Sequence, residues 1–146
     1  MVMAMNRQLQ QFQKAYESDA LETKVLGATP LELIVLLYEG AIEALQQAQQ
    51  AMCVGNVPLK GKLINKAGDI IEGLRNALNY EKGGDIATSL NELYQFSRQK
   101  LADAHRTNSE EDLQSVVTVL DTLLGGWKQI AREQHLKEGA GAASHG

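Results

Sequence analysis

A chain of 146 residues with 44% hydrophobic content is long enough to bury one sizeable core, and a single domain is expected. Its formal net charge of -4, without any dense run of Lys or Arg, leaves no electrostatic footprint for nucleic acid or anionic lipid. Cys53 is the one cysteine, which excludes an intrachain disulfide and any Cys-x-x-Cys or Cys/His zinc cluster, and suits a reducing compartment.

Met1 to Met5 is apolar but gives way at once to Asn6-Arg7-Gln8, too short for the apolar core of a signal peptide. No run reaches membrane-spanning length, so a cytoplasmic protein is expected, without membrane insertion. Residues 1–28 read as a polar, partly helical arm, with Leu9, Phe12 and Tyr16 at helical spacing and Leu21, Val25 and Leu26 as further anchors.

From Pro30 onward apolar residues return every three or four positions, which predicts an all-α fold. The first helix starts with Thr29 as N-cap, Pro30 where a missing N–H costs nothing, and Glu32 completing a capping box. Its predicted seam is Ile34, Tyr38, Ala41, Leu45, Ala48 and Met52. Leu31 and Leu33 to Leu37 surround its opening turns with apolar side chains, more than one seam requires. Asn56-Val57-Pro58 breaks the pattern. Leu63, Ala67, Ile70, Leu74 and Ala77 then form a second seam ending near Tyr80, flanked by a second apolar face of Ile64, Ile71 and Leu78. Gly68 beside that face would let another backbone approach closely.

Gly83-Gly84 predicts a tight corner, with Gly83 in the left-handed C-terminal position and Asp85 capping the next helix. The third seam reads Ile86, Leu90, Leu93, Ser97, Leu101 and Ala104. Asn108 with Glu111 repeats the capping-box pattern, and the fourth seam reads Leu113, Val116, Leu120, Leu123, Trp127 and Ile130 across a weak point at Gly125-Gly126. Short connections predict an antiparallel up-down four-helix bundle over residues 29–136, followed by a flexible Gly/Ala-rich tail at 137–146.

No constellation for chemistry emerges. Gly55 to Lys62 fails as a phosphate loop, because its glycines are wrongly spaced and Lys62 is followed by Leu63. There is no Glu-x-x-His pair for a di-iron bundle. His105 near a helix end is the one opening for histidine phosphotransfer, but Arg106-Thr107-Asn108 follows it in place of a Lys-Gly pattern. The expectation is a non-enzymatic protein without catalytic residues, cofactor or metal. Its surplus apolar surface is either covered by the arm or open as a groove for an amphipathic helix.

Tyr80-Glu81-Lys82-Gly83-Gly84-Asp85-Ile86-Ala87 with Leu90, Leu93 and Tyr94, together with Pro30-Leu31-Glu32-Leu33-Ile34 and Leu37-Tyr38-Glu39-Gly40-Ala41, resembles the flagellar secretion chaperone family. Lys60-Gly61 leading into Ile64, Lys66-Ala67 and Ile70-Ile71, the late Trp127, and Lys14-Ala15-Tyr16 extend the resemblance from about Lys14 to Trp127. The resemblance implies a helical bundle that binds the disordered C-terminal segment of flagellin, prevents its premature polymerisation and delivers it to the export gate. Carried onto this chain, it implies contacts along the second and third helices at Ile64, Ala67, Gly68, Ile71, Leu78, Leu90 and Tyr94, and a gate-docking role for Tyr16. The flagellar anti-sigma factor is a further candidate partner, and an open groove would allow a weak homodimer beside the monomer. Gln13, Phe96 and His105 depart from the family's pattern. A helical adaptor for another secretion or motility component is the alternative reading.

Overall fold

The computed structural model describes residues 27–144, with side chains as far as Lys137. Among these residues four α-helices follow one another: α1 Pro30–Cys53, α2 Val57–Asn76, α3 Tyr80–Thr107 and α4 Glu110–Ser144. Each packs against its neighbours in sequence, and α4 closes the ring on α1. With such short connections this is the antiparallel up-down bundle expected from the periodicity.

The helix ends explain the order. Thr29 accepts from the Glu32 amide while Glu32 bonds back to the Thr29 amide, so the capping box at α1 is complete. At the other end of α1, Gly55 has φ 72°, its amide reaches the Met52 carbonyl and the Asn56 amide reaches that of Ala51, the pair of bonds that closes a Schellman turn. Asn56 then caps α2 through the Leu59 amide.

Three boundaries differ from the sequence reading. Helix α2 stops at Asn76, so Leu78 lies in the connection and Tyr80 opens α3 behind an Asn79 cap. The corner is therefore not at Gly83-Gly84. Gly84 instead breaks the helical backbone inside α3, with φ 50° and ψ -124°, a conformation that a side chain would strain. Gly83 holds an ordinary helical position for a different reason, since a Cβ there would fall 2.9 Å from that of Ala87. Asn108 does not cap α4. It ends α3 in the left-handed region at φ 55°, and Ser109 caps α4 through the Asp112 amide. Helix α4 also runs on to Ser144, past the boundary at residue 136 that composition suggested.

The core runs through all four helices and includes Leu37, Leu45, Ile70, Leu74, Leu101, Leu113 and Leu120. Each such residue contributes about 1.5–3 kcal/mol by leaving water. On α3 the buried set is Ala87, Leu90, Tyr94, Ser97, Leu101 and Ala104, an alternation of three and four that places a heptad seam against the partners. Ile86 falls one position outside it and is 71% exposed. Leu93 is half-buried on the same flank, and Ile130 of α4 is also exposed, so these residues do not take the core places assigned to them.

Polar groups in the core are paired. The Tyr38 and Tyr94 hydroxyls hydrogen-bond at 2.5 Å across the diagonal between α1 and α3, and the Trp127 ring lies 6.3 Å from that of Tyr38. Burial pushes both phenols above the ordinary tyrosine range. Lys60, only 3% exposed, donates to the Asn108 side chain at 2.8 Å and the His105 carbonyl at 3.3 Å. Its ammonium thus serves the negative end of α3.

Candidate functional site

The sequence-derived contact residues do not assemble into one open face. Ile64, Ala67 and Ile71 are buried in the core on α2, as are Leu90 and Tyr94 on α3. Gly68 and Leu78 are half-buried. A Cβ built on Gly68 meets nothing within 4 Å, so packing among the helices does not require glycine there and the surface beside it is open to approach. Tyr16 lies outside the described residues.

Open apolar surface gathers elsewhere, on the flank where α3 meets α4. Lys100 of α3 pairs with Asp112 of α4 at 3.5 Å, which fixes the sides that face each other and their antiparallel register. At about 100° per residue, Ile86, Leu93 and Phe96 share the Lys100 side of α3, while Val119, Leu123, Gly126 and Ile130 share the Asp112 side of α4. Phe96 is 48% and Ile130 49% exposed, with the Lys100 ammonium 5.7 Å from the Phe96 ring centroid. Leu93, Val119 and Leu123 form the half-buried floor. The result is an apolar strip between two helices, closed at one end by an ion pair. Such a strip suits a helix that presents side chains at i, i+3, i+4 and i+7.

A second concavity of about 500 Å³ lies at the start of α1, lined by Glu32, Val35 and Leu36 together with Lys128, Ala131 and Arg132 of α4. It answers part of the apolar excess read in the opening turns of α1. Leu33 and Leu37 enter the core, and Leu31, Ile34, Val35 and Leu36 remain half-buried.

The sequence reading missed the strip by assigning Ile86, Leu93 and Ile130 to seams. The signal was present in α3, because the unbroken heptad from Ala87 to Ala104 leaves Ile86 and Leu93 one position off. Phe96 figured only as a departure from pattern, although a bare aromatic beside Leu93 marks the same flank.

Chemistry has no comparable assembly. Among the described residues no three His, Cys, Asp or Glu side chains converge as metal ligands, and no helix is long and apolar enough to cross a membrane. The His105 imidazole lies over Gly61, where a Cβ would come 2.9 Å from its Cε1 atom. That contact gives Gly61 a packing reason and makes the histidine part of the α2–α3 junction. Glu72 holds Arg75 at 2.9 Å and Arg98 at 2.8 Å, and the Arg75 hydrogen bond, with these positive charges, lowers its carboxyl below the ordinary value. The first pair lies within α2, and the second ties α2 to α3.

The molecule so described is an all-α helical bundle with apolar surface left open beside its core. A family model for the flagellar protein FliS matches residues 12–134. The chain is 37% identical over 122 residues to the flagellar secretion chaperone FliS of Vibrio cholerae, covering 84% of this chain and 90% of that protein. It is 40% identical over 118 residues to the flagellar secretion chaperone FliSB of Pseudomonas aeruginosa, covering 81% and 94%, and 37% identical over 126 residues to FliS of Salmonella typhimurium, covering 86% and 93%. The chain belongs to the FliS family, a family of flagellar secretion chaperones and not of enzymes.

Proposed function

We propose that this protein acts in the cytoplasm as an export chaperone for flagellin, binding its disordered C-terminal segment, preventing premature polymerisation and delivering it to the flagellar export gate. Family membership supports the chaperone role, and the observation that carries the binding mode is the apolar strip of Ile86, Leu93, Phe96, Val119, Leu123 and Ile130. A disordered client has its own apolar residues to bury, and the strip provides a surface on which they can order as a helix. Gly68 and Leu78 extend the surface the client could reach without disturbing the bundle. Contact with Ile64, Ala67, Ile71, Leu90 or Tyr94 would require the helices to part. Tyr16 remains the proposed gate-docking residue, and the flagellar anti-sigma factor would compete for client-binding surface.

Titration calorimetry against flagellin, and against flagellin lacking its C-terminal segment, tests the reading. Binding to the intact client alone, with a negative heat-capacity change, is expected for coupled folding and burial. Replacing Ile86 and Phe96 with Asp should weaken that binding by about tenfold or more, since two apolar anchors are lost. The circular dichroism spectrum should stay unchanged because both side chains are exposed. Equal binding to truncated flagellin would refute the proposed client segment, and unchanged affinity of the double variant would remove the strip from the site.

A further inference from the structure

Helix α4 is built in two unlike halves. From Leu113 to Leu124 it buries Leu113, Val116, Val117, Leu120 and Leu124. Beyond Leu124 nothing with a described side chain is fully buried: Trp127 and Ala131 are half-buried, Ile130 is 49% exposed and Leu136 is 70% exposed. The change falls at Gly125-Gly126. Both glycines are exposed, and a Cβ at either would meet nothing within 4 Å, so no close packing explains them. Glycine in a helix interior carries a propensity penalty, and paired small residues of this kind are recognised sites of bending.

The facing helix is interrupted at the same level. Gly126 and Ile86 lie equally far along their helices from the Lys100–Asp112 pair, and Ile86 follows directly on the backbone break at Gly84. The break in α3 therefore lies beside the glycine pair of α4, whose own backbone stays helical. The outer half of α4 also borders the concavity at Val35 and Leu36, and Lys128 and Arg132 make no ion pair with another described residue. Trp127, directly after the glycines, still reaches α1, its ring 6.3 Å from that of Tyr38, but beyond it no ion pair among the described residues fastens this half to α1.

We infer that Gly125-Gly126 is a hinge, about which the outer half of α4 swings as a strap against α1 and the start of α3 while residues 113–124 stay fixed in the core. Swinging outward widens the concavity at Val35 and Leu36 and moves Ile130 relative to Ile86, so the strip changes width at one end. This rests on the proposed function only in its purpose, which is to fit that end to the client's side chains. The motion belongs to the free chain.

Distances between paired spin labels in the full chain test it, in a Cys53→Ser background because that thiol is exposed. One label pair replaces Gln46 and Asp121, on α1 and the fixed half of α4, and the other replaces Gln46 and Glu133 beyond the glycines. The outer pair should give a distance distribution about twofold broader than the inner pair, and Gly125→Ala with Gly126→Ala should narrow it to the inner width by restoring helix propensity. An outer pair as narrow as the inner one would overturn the hinge. So would a broad outer distribution that survives both alanines, because fraying from the helix end would then be its source. Since no client is present, loss of flagellin binding would leave this result intact, and a failed hinge would leave the client assignment standing.

Discussion

The α1–α2 pair and the α3–α4 pair join their helices in opposite ways. α1 offers Ala41, Ala44, Ala48 and Ala51 to the interior, and α2 offers Ala67 and Gly73, all buried. Small faces let helix axes approach, and this pair makes the most extensive contact of the four neighbouring pairs. α3 and α4 make the least, and carry Leu93, Phe96, Val119 and Leu123 on the flank of their contact instead of within it. Apolar residues thus close a seam in one half and leave an open strip in the other. Small residues at a contact let the seam close, while large residues beside a contact leave apolar surface open.

Paired truncations would break this contrast most visibly. Leu45→Ala, in the closed interior, should cost about 2–5 kcal/mol in denaturant unfolding, whereas Ile130→Ala should stay within about 0.5 kcal/mol. Equal losses would mean that the strip is structural. The tyrosine pair tying α1 to α3 gives a smaller and pH-dependent effect. Both phenols are held neutral above their ordinary range, so their contribution is complete below pH 10 and is lost as pH rises beyond it, by about 1.4 kcal/mol per pH unit for each group. Tyr94→Phe should flatten that decline in unfolding midpoints measured above pH 10. Smallest is the tie from α2 to α3 at Glu72. Glu72→Gln should cost about 0.5–1 kcal/mol at neutral pH. Because this carboxyl titrates below its ordinary value, the difference should hold above about pH 4.5 and fade as acid protonates the native group.

The four described helices, their order and most of the core were legible in the sequence, because the spacing of Leu, Ile and Ala follows from helix geometry alone. Capping at Thr29 was legible for the same local reason. The glycine corner was not, since the pattern at Tyr80 to Asp85 fits either a loop or a broken helix, and the choice depends on Asn79 capping one turn earlier. Ile86, Leu93 and Ile130 were misplaced because a one-residue shift of register costs nothing in hydrophobic counting. Only the neighbouring helix shows which register is buried. Exposure of Phe96 likewise depends on how far α4 stands from α3, a distance set by side chains distant in sequence. The contact residues on α2 came from family resemblance, and resemblance alone could not tell a core isoleucine from one that meets a partner.

Lys60 carries its charge where solvent hardly reaches, fastened to the last turn of α3 by oxygens that bear no formal charge. An amine-acylating reagent would meet Lys62 and Lys82 on the surface at once and would find Lys60 only in molecules whose end had come apart. This lysine is thus a chemical clock for the opening of the α2–α3 junction, recording how often the end of the bundle remote from the strap loosens.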